Sequence, residues 1–212
     1  LEDGYIYDNT DGMIKQCEDG IRRHLISKNE IKLRGIHNYE NICAALAVTS
    51  SIADITSQIK TIKDFAGVEH RLEFVKEING VKYYNDSIGT SPASTIAGLN
   101  AFDENIILLA GGSDKGLDYK EVGDAIAKKV GTLILCGPTS EKIEMATREA
   151  LKETNKSIEF CYTNNLEESV NVAYAKAKKG DIVLLSPASA SFDAFKNFAE
   201  RGNKFKEFVN KL

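Results

Sequence analysis

From Glu73 onward, short apolar runs rich in strand-forming residues alternate with segments whose apolar residues recur at helical spacing. This alternation is typical of βαβ units, in which helices connect parallel strands and pack on the faces of the sheet. The sequence therefore predicts an α/β fold with a mostly parallel sheet flanked by helices. The predicted strands are residues 73–78, 81–84, 105–110, 132–136, 158–162 and 181–185.

Two helices in this region have recognisable boundaries. Asn165 followed by Glu168 has the spacing of a capped helix start. Four phenylalanines near the end of the chain recur at a helical period and predict a final helix from about Asp193 to the last residue. They are Phe195, Phe198, Phe205 and Phe208.

The beginning of the chain has a different pattern. In residues 1–34, short apolar runs such as 5–7 and 31–33 are separated by Asp, Asn and Gly, which predicts antiparallel strands. Two helical stretches follow, at 38–51 and about 57–65, before Gly67 interrupts the pattern. We expect a domain boundary at Gly67, which divides the chain into residues 1–67 and 68–212.

The composition excludes several classes of protein. Among 212 residues, 42% are hydrophobic and 27% are charged, as in soluble globular chains, and no apolar run approaches the roughly 18 residues of a membrane helix. The net charge of −4 argues against a nucleic-acid partner. Four cysteines without a CxxC pair, and no signal peptide, predict the cytoplasm. Because the chain begins Leu1-Glu2-Asp3 without Met, we expect a segment of a longer polypeptide.

Three polar loops follow predicted strands, at residues 85–87, 111–116 and 186–191. Ligands of open α/β sheets bind beyond the carboxyl ends of the strands, so these loops are expected to share one rim. In the second loop, Lys115 and three glycines suit an anion. The third loop is expected to run into the final helix, whose N-terminus also favours anions. The simpler interpretation of the second loop is a tight turn with a solvated lysine. The simpler interpretation of the third loop is that Ser191 caps the helix.

Other catalytic and metal motifs are absent from the sequence. It contains no G-x-x-x-x-G-K-[ST], no G-x-G-x-x-G and no G-x-S-x-G. The histidines at positions 24, 37 and 70 have no spacing that is typical of zinc ligands. The sequence therefore predicts neither a phosphate-binding P-loop nor a metal site made by this chain.

Five motifs are more informative as a set than each is alone. They are GIHNYEN at 35–41, EHRLE at 69–73, NDS at 85–87, GGSDKG at 111–116, and SPASASFDAFKNF at 186–198 followed by RGN at 201–203. Together they resemble the Mur ligase family over residues 35–212. The last motif is most similar to the branch of the family that adds D-glutamate.

The resemblance implies a cytoplasmic, ATP-dependent ligase of peptidoglycan synthesis. Such an enzyme joins D-glutamate to UDP-N-acetylmuramoyl-L-alanine through an acyl phosphate. By this resemblance, residues 68–212 form a Rossmann-like C-terminal domain that binds D-glutamate. Residues 1–67 are then a short antiparallel and helical remnant of the central ATP-binding domain. The family's P-loop, carbamylated lysine and most Mg ligands lie in the missing N-terminal and central domains, so this chain is expected to be inactive alone.

The resemblance also implies roles for individual residues. Proposed ATP contacts are Asn38 and Asn41 for the adenine, Arg71 for the phosphates and Asp86 for the ribose side. The implied D-glutamate pocket consists of Thr90, Lys115, Ser191, Phe192 and Phe198. Where the family commonly has Asp-Ser-Lys, this chain has Ile88 after Ser87, so the lysine charge is absent.

Two other functions are consistent with the sequence. One is another ATP-dependent amino-acid ligase, either a different Mur ligase or a folylpolyglutamate synthetase. The other is a non-catalytic module that binds a nucleotide or a protein partner, which the absent P-loop leaves open.

Overall fold

An antiparallel sheet and two helices form the first unit of the chain, which ends at Gly67. The computed structural model describes residues 3–212, so Leu1 and Glu2 of the predicted chain start lie outside the described residues. The elements of this unit are β1 (Gly4–Asp8), β2 (Met13–Glu18), β3 (Ile21–Ser27), α1 (Ile36–Thr49) and α2 (Ile55–Asp64). Strand β2 lies between β1 and β3. Ile14, Ile26 and Leu46 are at the centre of its core.

The predicted antiparallel strands are confirmed, except for the run at 31–33. After β3 the chain enters a single 3-10 turn, Lys28–Glu30, and residues 31–33 form no strand. The reason is a capping box, in which the Ser27 hydroxyl accepts from Asn29 N and the Glu30 carboxylate accepts from Ser27 N. This local pairing turns the chain out of the sheet.

The second unit, Val68–Leu212, is built on a six-stranded sheet. Its strands are β4 (Glu73–Ile78), β5 (Val81–Asn85), β6 (Ile106–Ala110), β7 (Val130–Cys136), β8 (Glu159–Thr163) and β9 (Ile182–Leu185). They lie in the order β4-β5-β9-β6-β7-β8. Strand β4 is antiparallel to β5, and all other neighbours are parallel. The predicted strands and the mostly parallel sheet are therefore confirmed, with boundaries shifted by one or two residues.

Helices cover both faces of this sheet. They are α3 (Pro92–Leu99), α4 (Lys120–Lys129), α5 (Ser140–Leu151), α6 (Leu166–Lys176) and α7 (Phe198–Lys211). Because side chains alternate along a strand, Leu108 packs with α3, α4 and α5, whereas Leu109 packs with α6 and α7. In the described part of the chain, no helix combines the length and apolarity needed to cross a membrane.

The sequence analysis did not predict α3. Its signals are nevertheless local: the Ser91 hydroxyl accepts from Ser94 N, and Pro92 occupies the first helical position. The helix supplies Thr95, which is fully buried at the carboxyl end of the sheet.

The predicted start of the final helix at Asp193 is wrong. Helix α7 begins at Phe198, because the Asn197 side chain accepts from Glu200 N at 2.9 Å and caps the first turn. Before it, the chain makes a separate turn in which Phe195 N donates to Ser191 O at 2.8 Å. The phenylalanine stripe still packs on the sheet, with Phe205 fully buried.

Candidate active site

The three polar loops meet at the carboxyl edge of the sheet, as predicted. The loop after β5 joins the end of β9 through Asp86 N and Leu185 O, which are 2.8 Å apart. The loop after β6 joins the loop after β9 twice: Gly111 N donates to Pro187 O, and Ser113 N donates to Ala190 O, each at 2.9 Å. These bonds bring the loops at 85–87, 111–116 and 186–191 onto one rim.

Glycines allow this close approach. Gly111 and Gly112 have positive φ values of 113° and 145°, a region that residues with a side chain rarely adopt. A Cβ on Gly111 would lie 2.1 Å from Cys136 O, and one on Gly112 would lie 2.2 Å from Ala190 O. The loop after β6 can therefore pass between its neighbours only without side chains at these two positions.

Asp86 is buried beneath the rim, with 4% of its surface exposed. Its Oδ2 accepts from the Ser186 hydroxyl at 2.7 Å, and its Oδ1 accepts from Leu72 N at 3.2 Å. Burial raises the pKa of this carboxyl to about 6, although both hydrogen bonds and the charge of Arg71 oppose the increase. Asp86 thus anchors the loop after β9, and each oxygen keeps a second lone pair for another contact.

The anchoring continues into α3. The Ser186 hydroxyl lies 3.0 Å from Thr95 Oγ1, which also accepts from Ala188 N at 3.0 Å. Ala188 has a φ of 57°, which is uncommon for a residue other than glycine. The network from Asp86 to Ala188 therefore holds the loop after β9 in a strained conformation at the rim.

Arg201 connects the loops from below, a role that the sequence analysis missed. It is 4% exposed, and all five of its N–H donors have acceptors on Ser87, Ser189 or Ala190. The available signal was helical spacing: Arg201 lies four residues before the buried Phe205, on the apolar face of α7. A cation on such a face needs partners inside the protein.

A second buried network lies under the loop after β5. Asn85 Nδ2 donates to His70 Nδ1 at 2.9 Å and to Glu73 Oε2 at 3.0 Å. Burial lowers the pKa of His70, and the nearby charge of Lys206 acts in the same direction. The rings of His70 and Phe198 also pack in a T-shaped arrangement, with 6.0 Å between their centroids. Phe198 is therefore half-buried and part of the support of the rim.

The remaining residues predicted to bind D-glutamate lie in these loops. Lys115 is exposed and forms no ion pair or hydrogen bond within the described chain, whereas its neighbour Asp114 pairs with Lys142. Ser191 is 2% exposed, Phe192 is 71% exposed and Thr90 is half-buried. The bond from Ser113 to Ala190 brings the segments that carry Lys115 and Ser191 together.

The position of the helix N-terminus changes one part of the predicted site. Ser191 is not the cap of α7, since that position belongs to Asn197. The N–H groups of Phe198 and Ala199, in the first turn, therefore replace those near Asp193 as the helix donors. They lie next to the rim because Ser87 Oγ donates to Phe198 O at 2.8 Å.

The residues predicted to bind ATP are distributed over both units. In the first unit, Asn38 is buried and its Nδ2 donates to Arg34 O at 2.7 Å, whereas Asn41 is exposed one turn later in α1. The Asn38 amide thus keeps an acceptor and one donor hydrogen. In the second unit, Arg71 is exposed, and its charge acts on the buried Asp86.

A cavity of about 320 Å³ lies beyond the ends of β6, β7 and β9. Its lining includes Gly112, Leu166, Phe195 and Arg201 but none of the five residues predicted to bind D-glutamate. The predicted amino-acid site is therefore the open rim of loops and not this cavity. Among residues 3–212, no cluster of three or more His, Cys, Asp or Glu side chains could hold a metal ion.

Comparison with known proteins identifies the family. The family model described as "Mur ligase, glutamate ligase domain" matches residues 70–189, which is more than half of the chain. The chain belongs to the Mur ligase family. The resemblance inferred from the sequence motifs is thereby confirmed.

Relatives within the Mur ligase family are similar over most of this chain. The UDP-N-acetylmuramoylalanine–D-glutamate ligase of Acetivibrio thermocellus is 50% identical over 197 residues, which are 92% of this chain and 42% of the relative. The protein of the same name from Clostridium tetani is 43% identical over 212 residues, which are 100% of this chain and 45% of the relative. The chain thus spans less than half the length of these relatives.

Solved Mur ligase structures share the fold. The UDP-N-acetylmuramate-alanine ligase of Thermotoga maritima matches with a TM-score of 0.65 and 13% identity, over 95% of this chain and 44% of that one. At this identity the likeness supports the fold alone. It agrees with the six-stranded, mostly parallel sheet described above.

Proposed function

We propose that this chain is the C-terminal part of a UDP-N-acetylmuramoyl-L-alanine:D-glutamate ligase, an ATP-dependent enzyme of cytoplasmic peptidoglycan synthesis. The observation that carries the proposal is the junction of the loops after β6 and β9 through Ser113 and Ala190. This junction brings the loop that carries the unpaired Lys115 next to the segment that carries Ser191. The chain is also 50% identical to a relative whose name states this activity. Residues 1–67 are proposed as the end of the ATP-binding domain, and residues 68–212 as the D-glutamate-binding domain.

The proposed substrate explains the charges of the rim. D-Glutamate carries two carboxylates, and a charge-assisted bond to each is stronger than a neutral one. Lys115 is proposed to bind one carboxylate. The Ser191 hydroxyl and the first-turn N–H groups of α7 are proposed to bind the other, because a helix N-terminus favours anions. Thr90, Phe192 and Phe198 are proposed to enclose the rest of the molecule.

These residues would hold the amine of D-glutamate in place for the reaction. ATP supplies a phosphoryl group that converts the alanyl carboxylate to an acyl phosphate, and attack by the amine then gives the amide and inorganic phosphate. The contribution of this chain is to fix the amine donor and offset the repulsion among several anions. For the nucleotide, Asn38 and Asn41 remain proposed adenine contacts, and Arg71 and Asp86 remain proposed phosphate and ribose contacts.

The chemistry of the described residues fits the amino acid better than it fits a metal. The Lys115 ammonium, the Ser191 hydroxyl and the α7 N–H groups are donors, as carboxylates require. Residues 3–212, in contrast, contain no acidic cluster that suits Mg²⁺. We therefore assign no step of the reaction through a metal to residues of this chain. Any Mg²⁺ ligands are proposed to lie mainly in the parts of the enzyme that this chain does not include.

An NMR titration of this chain tests the proposed pocket. D-Glutamate should shift the amide signals of Lys115 and Ser191 more than L-glutamate does, because binding of both carboxylates together with enclosure by Thr90, Phe192 and Phe198 fixes the positions of the remaining substituents. Lys115→Ala should weaken binding by about tenfold, the loss expected for one charge-assisted bond of about 1.5 kcal/mol. Lys120→Ala, at an exposed lysine of the neighbouring helix α4, is the matched control and should leave binding unchanged.

Two results would contradict the proposal. One is an equal response to both enantiomers, which would indicate nonspecific attraction of anions to a cationic rim. The other is no response at Lys115 and Ser191 at concentrations that saturate the solution with D-glutamate.

A further inference from the structure

Arg201 is a buried cation on which the charge of Asp193 acts from beyond ion-pair distance. Within the described chain it forms no salt bridge, and its five donors are directed to carbonyl and hydroxyl oxygens. Nε donates to Ser87 Oγ at 3.0 Å, and the two terminal nitrogens donate to the carbonyls of Ser87, Ser189 and Ala190 at 2.9 to 3.2 Å. Because every donor is occupied, Arg201 has none left for a substrate.

These bonds join three separate segments of the chain. Ser87 belongs to the loop after β5, Ser189 and Ala190 belong to the loop after β9, and Arg201 itself lies in the first turns of α7. Ser87 Oγ extends the connection, since it accepts from Arg201 and donates to Phe198 O at 2.8 Å. One side chain thus fixes the relative positions of both loops and the helix start.

The bond to Ala190 also sets the direction of the next peptide group. All peptide bonds of the described residues are trans, so the N–H of Ser191 is directed opposite to the carbonyl of Ala190. That carbonyl accepts from Arg201 and from Ser113 N. The Ser191 N–H is consequently directed away from the guanidinium.

The geometry points to Arg201 as a positioning residue that holds Ser191 and the start of α7 in the arrangement that binds D-glutamate. This inference rests on the proposed function. In this role Arg201 does not contact the substrate itself, because it acts through the backbone of the loops. A planar fork with five donors suits this task, and the ammonium of lysine cannot reproduce it.

A purely stabilising role is a weaker explanation. Burial of a guanidinium that forms no salt bridge is unfavourable, and it lowers the pKa of Arg201 to about 10, although the charge of Asp193 opposes the decrease. An apolar side chain of similar length would fill the same space without desolvating a charge. The arginine gives what an apolar residue cannot, which is a fixed orientation of the surrounding carbonyls.

The test compares Arg201→Lys and Arg201→Met with the unsubstituted chain in the same NMR titration. Both variants should raise the Kd for D-glutamate by about tenfold or more, because misplacement of the loops by about 1 Å weakens every contact together. The preference for D- over L-glutamate should also decrease. Loss of stability alone would not change this preference in the folded fraction. Arg148→Met, at an exposed arginine of α5, is the control for loss of one charge.

A milder substitution keeps the test decisive if the arginine variants do not fold. Ser87→Ala removes the acceptor of Nε and the bond to Phe198 O, and it should also lower the preference for the D enantiomer. An unchanged Kd and unchanged preference in Arg201→Lys, or in Ser87→Ala if the lysine variant is unfolded, would overturn the inference while the proposed function stands. Absence of D-glutamate binding by the unsubstituted chain would instead contradict the proposed function, and this inference with it.

Discussion

At the scale of single residues, the rim depends on buried polar side chains that hold loops. Asp86 is the central example, because its carboxylate lies against two glycines. A Cβ on Gly89 would lie 2.8 Å from Asp86 Oδ2, and one on Gly98 would lie 3.1 Å from it. Little water reaches this carboxylate, and the raised pKa follows from that burial.

The burial of Asp86 predicts a pH-dependent contribution to stability. Its pKa is about 6 in the folded protein, compared with 3.8 for an exposed aspartate. The folded state therefore binds more protons between these values. Protonation of Asp86 in the folded state therefore stabilises the protein fully below about pH 4, and this contribution is lost as the pH rises through 6. Asp86→Asn does not titrate, so its free energy of unfolding relative to the unsubstituted chain should increase by up to about 3 kcal/mol between pH 4 and pH 7.

Urea denaturation at several pH values measures this difference. Asp124→Asn, at an exposed aspartate of α4, serves as the control and should show no comparable trend. If the difference between Asp86→Asn and the unsubstituted chain stays constant with pH, the carboxyl is ionised and its burial has been offset by Arg71 and the hydrogen bonds.

At the scale of elements, local signals predicted most of the structure, and the predictions differ from it at three places. The phenylalanine period predicts a helix from Asp193, but the Asn197 side chain caps the helix by accepting from Glu200 N, and α7 starts at Phe198. Helix α3 was missed although Ser91 and Pro92 signal its start. An apolar run at 31–33 was predicted as a strand, but the preceding capping box turned the chain away from the sheet.

The corrected start of α7 predicts different effects for two polar residues. Asn197→Ala removes the cap of a 14-residue helix that packs on the core, and it should lower the free energy of unfolding by about 1 kcal/mol. Ser191→Ala should change it by less than about 0.5 kcal/mol, because the Ser191 hydroxyl bonds no other described residue. Chemical denaturation of both variants measures the two values. The reverse order would mean that the helix begins near Ser191 in solution.

The site was only partly predictable, because local patterns do not reveal contacts between distant positions of the chain. Periodicity and strand ends predicted that the three loops share a rim, since both properties are local. The contact of Arg201 with Ser87 connects positions 114 residues apart in the chain, and no local pattern encodes it. Roles for Lys115 and Ser191 came from family resemblance, and they remain predictions until binding is measured.

At the scale of the whole molecule, the chain consists of two units, each with its own core. The first has a core around Ile14 and Leu46, and the second has a core on each face of its sheet. The boundary follows Gly67, and no strand of either sheet crosses it. The domain boundary expected at Gly67 rests on the change in the sequence from an antiparallel pattern to an alternating one.

The proposed function predicts that the purified chain does not catalyse ligation by itself. The sequence has no phosphate-binding P-loop, and the D-glutamate rim supplies only the amine donor. Incubation with ATP, UDP-N-acetylmuramoyl-L-alanine and D-glutamate should therefore release no phosphate above the background without enzyme. Turnover that depends on all three substrates would show that the chain contains a complete active site. The D-glutamate titration is the control that the sample is competent to bind.

The central position of β9 has a consequence for synthesis on the ribosome. Lys82 of β5 pairs with Ile182 of β9, and β9 also pairs with β6. At roughly 5 to 20 residues per second, on the order of ten seconds separates translation of these two partners. During that interval β5 and β6 each present an edge that only the later strand can fill. The sheet can therefore close only after β9 has been made, and until then these edges are open to pairing with other chains.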